Sequence, residues 1–178
     1  MIRKSAIVAA VVLAGLIAAP GRADDPKTDP VSLRQLTWAQ FQEHLASPKD
    51  ARYTLVDAWA TTCGPCKENF PHLVEMHRKF APQGLAVVSL SLDDSEDEKA
   101  VAEAEKFLRE KQATFTNVLL KENFGDGFDK LDIGAIPAVF LYGPDGKEIK
   151  RFTMDDPNDQ FTYEQVEKEV AARLAAPK

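Results

Sequence analysis

Cys63 and Cys66 are the only cysteines among the 178 residues, and only Gly64 and Pro65 separate them. They follow an apolar run, Tyr53 to Ala60, that reads as a strand, and they open a stretch whose apolar residues recur at helical spacing. A sulfur at a helix N-terminus faces unpaired N–H groups and the positive end of the helix dipole. This favours the thiolate and, in comparable motifs, lowers its pKa to about 7 or below. Cys63 is therefore the expected nucleophile. Cys66, close to one helical turn on, can reach back and close a disulfide with little backbone motion, which makes it the expected resolving thiol. Two other uses of the pair carry less weight. Structural zinc wants four Cys or His ligands, and His72 and His77, five apart on one helix, form no matching pair. A purely structural bridge across so short a loop would remove little unfolded-chain entropy.

The elements that must hold the dithiol follow from periodicity. Thr37 and Gln40 have capping-box spacing, and Trp38, Phe41 and Leu45 recur as a helix face until Pro48. The helix after the cysteines carries Phe70, Leu73, Val74, His77 and Phe80, and ends before Pro82 and Gly84. Leu85 to Leu92 is apolar at nearly every position, as a strand covered on both faces must be. Ser95 with Glu98 predicts another cap, and a helix from Glu96 to about Lys111 would bury Val101, Ala104, Phe107 and Leu108. Phe115 to Leu120 is a further strand. Phe124-Gly125-Asp126-Gly127 reads as turn residues, before a short helix around Phe128 to Leu131. Ala138 to Tyr142, the turn Gly143-Pro144-Asp145-Gly146 and Lys147 to Thr153 form an antiparallel hairpin. An amphipathic helix, Phe161 to Leu174, closes the chain. The fold class is α/β, a mixed sheet with helices on both faces.

The N-terminus has the layout of an export signal: Arg3 and Lys4, the apolar run Ala6 to Ala19, then Gly21-Arg22-Ala23, with cleavage expected after Ala23. The run is shorter than the about 20 residues a spanning helix needs, though an uncleaved inner-membrane anchor over residues 6–19 stays open. Residues 24–36, with Pro26 and Pro30, are expected to be a flexible spacer, and residues 37–178 a single domain. Net charge is -6, and loss of Arg3, Lys4 and Arg22 with the signal would make it more negative. That argues against a nucleic-acid or anionic-lipid partner.

The run Val56-Asp57-Ala58-Trp59-Ala60-Thr61-Thr62-Cys63-Gly64-Pro65-Cys66-Lys67 resembles the active-site segment of thioredoxins, and Pro71 matches the proline inside their active-site helix. Gly134-Ala135-Ile136-Pro137-Ala138 resembles the cis-proline loop that faces the cysteines in that fold. The wide gap between Cys63 and Pro137 resembles the exported TlpA/ResA-like branch, whose middle region carries an extra strand and helix. The resemblance runs from about Thr37 to the C-terminus. It implies a thioredoxin fold, catalytic roles for Cys63, Cys66 and Asp57, and a client site made by Ile136, Pro137, Trp59, Gly64 and Pro65. Asp57 would match the buried acid that exchanges a proton with the second cysteine. Trp59 would pack beneath the cysteine loop with its N–H satisfied. The chain departs from the pattern where Ser89 stands at the position of a thioredoxin lysine, and where Asn69, with Glu68 before it, replaces a glutamate common in TlpA/ResA-like proteins.

The function implied is thiol-disulfide exchange, reducing exported proteins in the periplasm. Gly64-Pro65 places no histidine or charge between the sulfurs, which favours a reductant over an oxidant. No cofactor beyond the Cys63–Cys66 disulfide and no metal is expected. The implied partners are exported thiol proteins such as apocytochromes and a membrane thiol reductase as electron donor, with the protein itself a monomer. Two alternatives remain: a thiol peroxidase, whose Pro-x-x-x-Thr-x-x-Cys signature is broken here by Val56 and Ala60, and a non-catalytic module binding peptide or copper.

Overall fold

The computed structural model describes residues 31–46 and 51–176. The signal expected over residues 1–23, the spacer as far as residue 30, and Pro48 lie outside the described residues. The strands are β1 (Leu33–Leu36), β2 (Tyr53–Trp59), β3 (Leu85–Ser91), β4 (Thr116–Leu120), β5 (Ala138–Tyr142) and β6 (Glu148–Phe152). The helices are α1 (Trp38–Ala46), α2 (Gly64–Phe80), α3 (Glu98–Glu110), α4 (Phe124–Leu131) and α5 (Tyr163–Ala175). The strands form one sheet in the order β1-β4-β3-β2-β5-β6. β1, β4, β3 and β2 run parallel, and β5 and β6 are antiparallel additions. This is the mixed sheet with helices on both faces that periodicity predicts.

Alternation along the central strands divides the core in two. Leu55, Trp59, Val87, Val139 and Leu141 face α2, α3 and α5, whereas Val56, Ala58, Val88, Leu90 and Phe140 face α1 and α4. Leu55, Leu73, Phe41 and Phe140 are essentially inaccessible. Each such side chain stabilises the fold by about 1.5–3 kcal/mol relative to exposure. β2 sits mid-sheet between β3 and β5, so the chain leaves the centre of the fold where it enters the cysteine loop. At one margin, β6 exposes Glu148, Lys150 and Arg151.

Four local expectations are corrected. Leu33–Leu36, read as part of the spacer, forms β1 on the edge of β4, with Leu33 packing on one core cluster and Leu36 on the other. Phe124-Gly125-Asp126-Gly127 is the first turn of α4 rather than a loop. A Cβ at Gly127 would stand 3.2 Å from Leu92 Cδ2, so the glycine permits close approach of this helix to the sheet. Asp97, not Ser95, caps α3, its carboxylate accepting from the N–H groups of Lys99 and Ala100. Finally, α5 begins at Tyr163 behind a Thr162/Gln165 capping box, leaving Phe161 before the helix. The Thr37/Gln40 capping box of α1 forms as expected, with both reciprocal hydrogen bonds present.

Candidate active site

Cys63 is the N-cap of α2. Its backbone is extended (φ -85°, ψ 103°), and its Sγ accepts the Cys66 N–H at 3.2 Å. Cys63 and Cys66 are disulfide-bonded, with Cα atoms 5.3 Å apart. Their environments differ: Cys63 is half-buried between exposed Thr62 and Gly64, whereas Cys66 is only 1% exposed and belongs to the core cluster of α2. Gly64 and exposed Pro65 form the first turn, and a Cβ on Gly64 would meet nothing within 4 Å. Pro71 lies inside α2, where its ring removes the amide that would otherwise bond one turn back. Asn69 donates its side-chain amide to the Pro65 carbonyl at 2.9 Å, bracing the first turn from its exposed side.

The loop into Cys63 is held by a carboxylate absent from the sequence expectations. Asp93, just beyond β3, accepts the Thr61 N–H at 3.0 Å and the Thr61 hydroxyl at 2.6 Å, and also accepts from the Ser91 hydroxyl at 2.8 Å. All three residues are buried, so the carboxylate's desolvation is offset by hydrogen bonds. The sequence signal was a pair of polar residues, Ser91 and Asp93, at the end of a largely apolar central strand.

Opposite Cys63 stands the 134–137 loop. The Ile136–Pro137 peptide is cis, and the Ile136 carbonyl oxygen lies 3.7 Å from Cys63 Sγ. Pro137 is buried, so the accessible wall is made by half-buried Ile136. Gly134 donates its N–H to Asp155 Oδ1 at 2.8 Å, fastening the loop to the segment after β6.

Asp57 lies on β2 two residues before Trp59, on the face covered by α2 and α5, and is 1% exposed. Its Oδ2 accepts the Tyr163 hydroxyl at 2.8 Å, while Oδ1 is buried with no hydrogen-bond partner among the described residues. Burial pushes its pKa up from 3.8 to about 7, opposed by the hydrogen bond from Tyr163. The Tyr163 hydroxyl is itself raised well above its ordinary value, by burial first and then by the charge of Asp57. Ser89 stands beside Asp57 in the β2–β3 register but donates its hydroxyl to Asn117 instead. Tyr163 was missed in the sequence, although it falls in register with Val166, Val170 and Leu174 on the buried face of α5.

Trp59 corrects two expectations. It is fully buried, so it packs and offers no surface to the client site in which it was expected. Its ring meets Phe70 at 5.4 Å and Phe107 at 5.0 Å between centroids, a contact worth about 0.5–1.5 kcal/mol beyond area burial. Its Nε1–H has no hydrogen-bond partner among the described residues, where a satisfied N–H was expected.

Comparison with known proteins agrees with this geometry. Thiol-disulfide oxidoreductase ResA of Bacillus subtilis is 28% identical over 95 residues, which is 53% of this chain and 49% of that protein. The chain thus spans about half the length of the ResA relatives it matches first. Sporulation thiol-disulfide oxidoreductase A of the same organism is 26% identical over 149 residues, covering 83% of this chain and 88% of that one. A crystal structure of a putative thiol:disulfide interchange protein DsbE from Chlorobium tepidum superposes with a TM-score of 0.57 at 27% identity, over 76% of this chain and 85% of that one. The AhpC/TSA family matches residues 31–151. Since that match enters at β1, ends within β6 and so crosses every strand of the sheet, the chain belongs to the AhpC/TSA family, within the thioredoxin-like superfamily.

Proposed function

We propose that this protein is a thiol-disulfide oxidoreductase that reduces disulfides in exported client proteins. The observation that carries this reading is the position of Cys63. Its sulfur caps a helix, accepts an amide hydrogen bond and remains accessible, while its disulfide partner is buried beneath it. The relatives named for this activity support the same chemistry.

In the reduced protein the Cys63 thiolate attacks a client disulfide, forming a mixed disulfide and releasing one client sulfur as thiolate. Cys66, deprotonated by Asp57, then attacks Cys63 Sγ. The Cys63–client bond breaks, the Cys63–Cys66 disulfide forms, and the second client sulfur leaves. Two electrons have passed from the dithiol to the client. Gly64, Pro65 and Ile136 frame the approach to Cys63, and Pro137 shapes the loop from within. A membrane thiol reductase would return the electrons, and export by residues 1–23, with cleavage or as an anchor, would bring the domain to the periplasm.

The family match gives one reason to consider peroxide as the oxidant instead. Against it, position 60 is a buried alanine with no hydroxyl, and the neighbouring Thr61 hydroxyl is already held by Asp93. Reduction of insulin disulfides separates the readings. Activity that is lost in Cys63→Ser supports exchange, and rapid peroxide consumption with no insulin reduction would overturn it. A dithiol potential near about -120 mV, at the oxidising end for this fold, would reverse the direction.

A further inference from the structure

The exchange reaction proposed above needs Asp57 to present an oxygen to Cys66, and the structure gives Asp57 one hydrogen-bond donor, 106 residues away in sequence. Asp57, Trp59 and Leu55 alternate onto the face of β2 that α2 covers, where Cys66 is buried in the same cluster as Trp59, Leu55 and Tyr163. Of the two carboxyl oxygens, Oδ2 is taken by the Tyr163 hydroxyl, and Oδ1 is buried and unpaired. Buried polar atoms are rarely left so, and an orphan on the side of the sheet that also buries a redox sulfur asks for a functional reason.

We infer that Tyr163 is a positioning residue of the exchange reaction: its hydroxyl anchors Oδ2 of Asp57, which leaves Oδ1 as the oxygen that takes the Cys66 thiol proton. This rests on the reading of Asp57 as proton acceptor and adds to it which oxygen acts and what holds it.

The Tyr163 hydroxyl of α5 bonds the carboxyl; on the same side of the sheet α2 buries Cys66 in the cluster of Leu55, Trp59 and Tyr163, and Ser89 of β3, in register with Asp57, gives its hydroxyl to Asn117 of β4. β5 contributes Val139 at the neighbouring register position. His72 of α2 stacks on the outer side of the Tyr163 ring, centroids 5.8 Å apart and planes 22° from parallel, and Glu164 lies beyond it at the start of α5. Among the described residues the perturbation of Asp57 comes from burial and the tyrosine, not from a charged side chain. The hydrogen bond stabilises the carboxylate against its desolvation, so it keeps a base available at neutral pH that burial alone would hold protonated.

The step conserves its proton. As the mixed disulfide resolves, the Cys66 S–H proton moves to Oδ1, Cys66 Sγ bonds to Cys63 Sγ, and the Cys63–client S–S bond breaks. The departing client thiolate takes up a proton from solvent, and Asp57 loses its own before the next turnover. Tyr163 donates throughout and neither gains nor loses a proton.

Three variants of the full-length protein test this, read by the pH profile of insulin reduction and by the infrared carbonyl band of a protonated buried carboxyl in the oxidised protein. Tyr163→Phe keeps the ring and removes the donor, and should move the acid limb and the band midpoint up by about one pH unit. Replacement of Tyr163 by a ring-fluorinated tyrosine keeps the shape, strengthens the donor and should move both downwards. Opposite displacements from two substitutions that preserve packing are not what a merely structural tyrosine produces. A His72→Gln control should leave both midpoints in place, which assigns them to the carboxyl and not to the imidazole. If Asp57→Asn abolishes the limb and the band while both Tyr163 variants keep wild-type midpoints, the positioning role is wrong and the acid's role stands. If Asp57→Asn retains the limb, the reading of Asp57 fails and this inference falls with it.

Discussion

Asp57→Asn should change how stability depends on pH, and the size of the change follows from burial. In the unfolded chain the carboxyl ionises near 3.8, whereas in the folded protein it holds its proton to about 7. Below 3.8 both states are protonated and the group is neutral to folding. Between those values the unfolded state ionises first, so stability falls with rising pH by about 1.4 kcal/mol per pH unit. Above 7 the full difference, about 4 kcal/mol, weighs against the fold, a large share of the about 5–15 kcal/mol typical of a domain. Asparagine removes this dependence. Its carbonyl can still accept from Tyr163, but its NH2 group lands where Oδ1 had no partner, at a cost of about 1–3 kcal/mol at every pH. The oxidised variant should therefore be less stable than wild type near pH 4 and more stable near pH 8, with the difference swinging by about 4 kcal/mol between them. Urea unfolding of both oxidised proteins at pH 4, 5, 6, 7 and 8 measures the swing. Stability curves that stay parallel to within about 1 kcal/mol would refute the raised carboxyl, and with it the argument that Asp57 is poised to exchange a proton near neutrality.

Asp93→Ala should remove the acceptor for three donors, the Thr61 N–H, the Thr61 hydroxyl and the Ser91 hydroxyl, destabilise the protein by about 2–4 kcal/mol and loosen Cys63. Faster amide exchange at Thr61–Cys63 than in wild type is the check, and unchanged protection would count against the clamp. Arg52→Ala removes two hydrogen bonds, 2.7 Å each, to the carbonyls of Leu174 and Ala176. The end of α5 should fray in hydrogen exchange at a cost of about 1 kcal/mol, with insulin reduction kept. Gly146→Ala should cost at least about 1 kcal/mol in thermal or urea unfolding, because φ is +73° there and the new Cβ would stand 2.7 Å from Ala46 Cα.

Elements that announce themselves by local pattern were legible in the sequence. β2, β3 and β5 are apolar runs, α2 carries a regular stripe that continues past Pro71, and the Gly143–Gly146 turn joins a hairpin. The dithiol and the loop facing it were legible too, since both are short motifs. What escaped depends on partners distant in the chain. β1 is four residues long, and only pairing with β4 makes it a strand. Gly125 and Gly127 look like loop residues until Leu92 is seen to lie against the second of them. Asp57 was identified by motif, but its donor Tyr163 comes from the last helix, and a sequence pattern does not record which buried hydroxyl reaches which carboxylate. Trp59 shows the converse: its packing was readable from its position, yet its unpaired N–H emerges only from the three-dimensional neighbours of the indole.

The charged margin at β6 decides how readily another chain could pair with the sheet. Any extended segment arriving there must strip water from Glu148, Lys150 and Arg151 before it gains a single backbone hydrogen bond, and Arg151 is already engaged by Glu148 and by the carbonyls closing α4. That seam therefore discourages annealing, and an extended chain that reached the sheet at this edge would find little there to keep it.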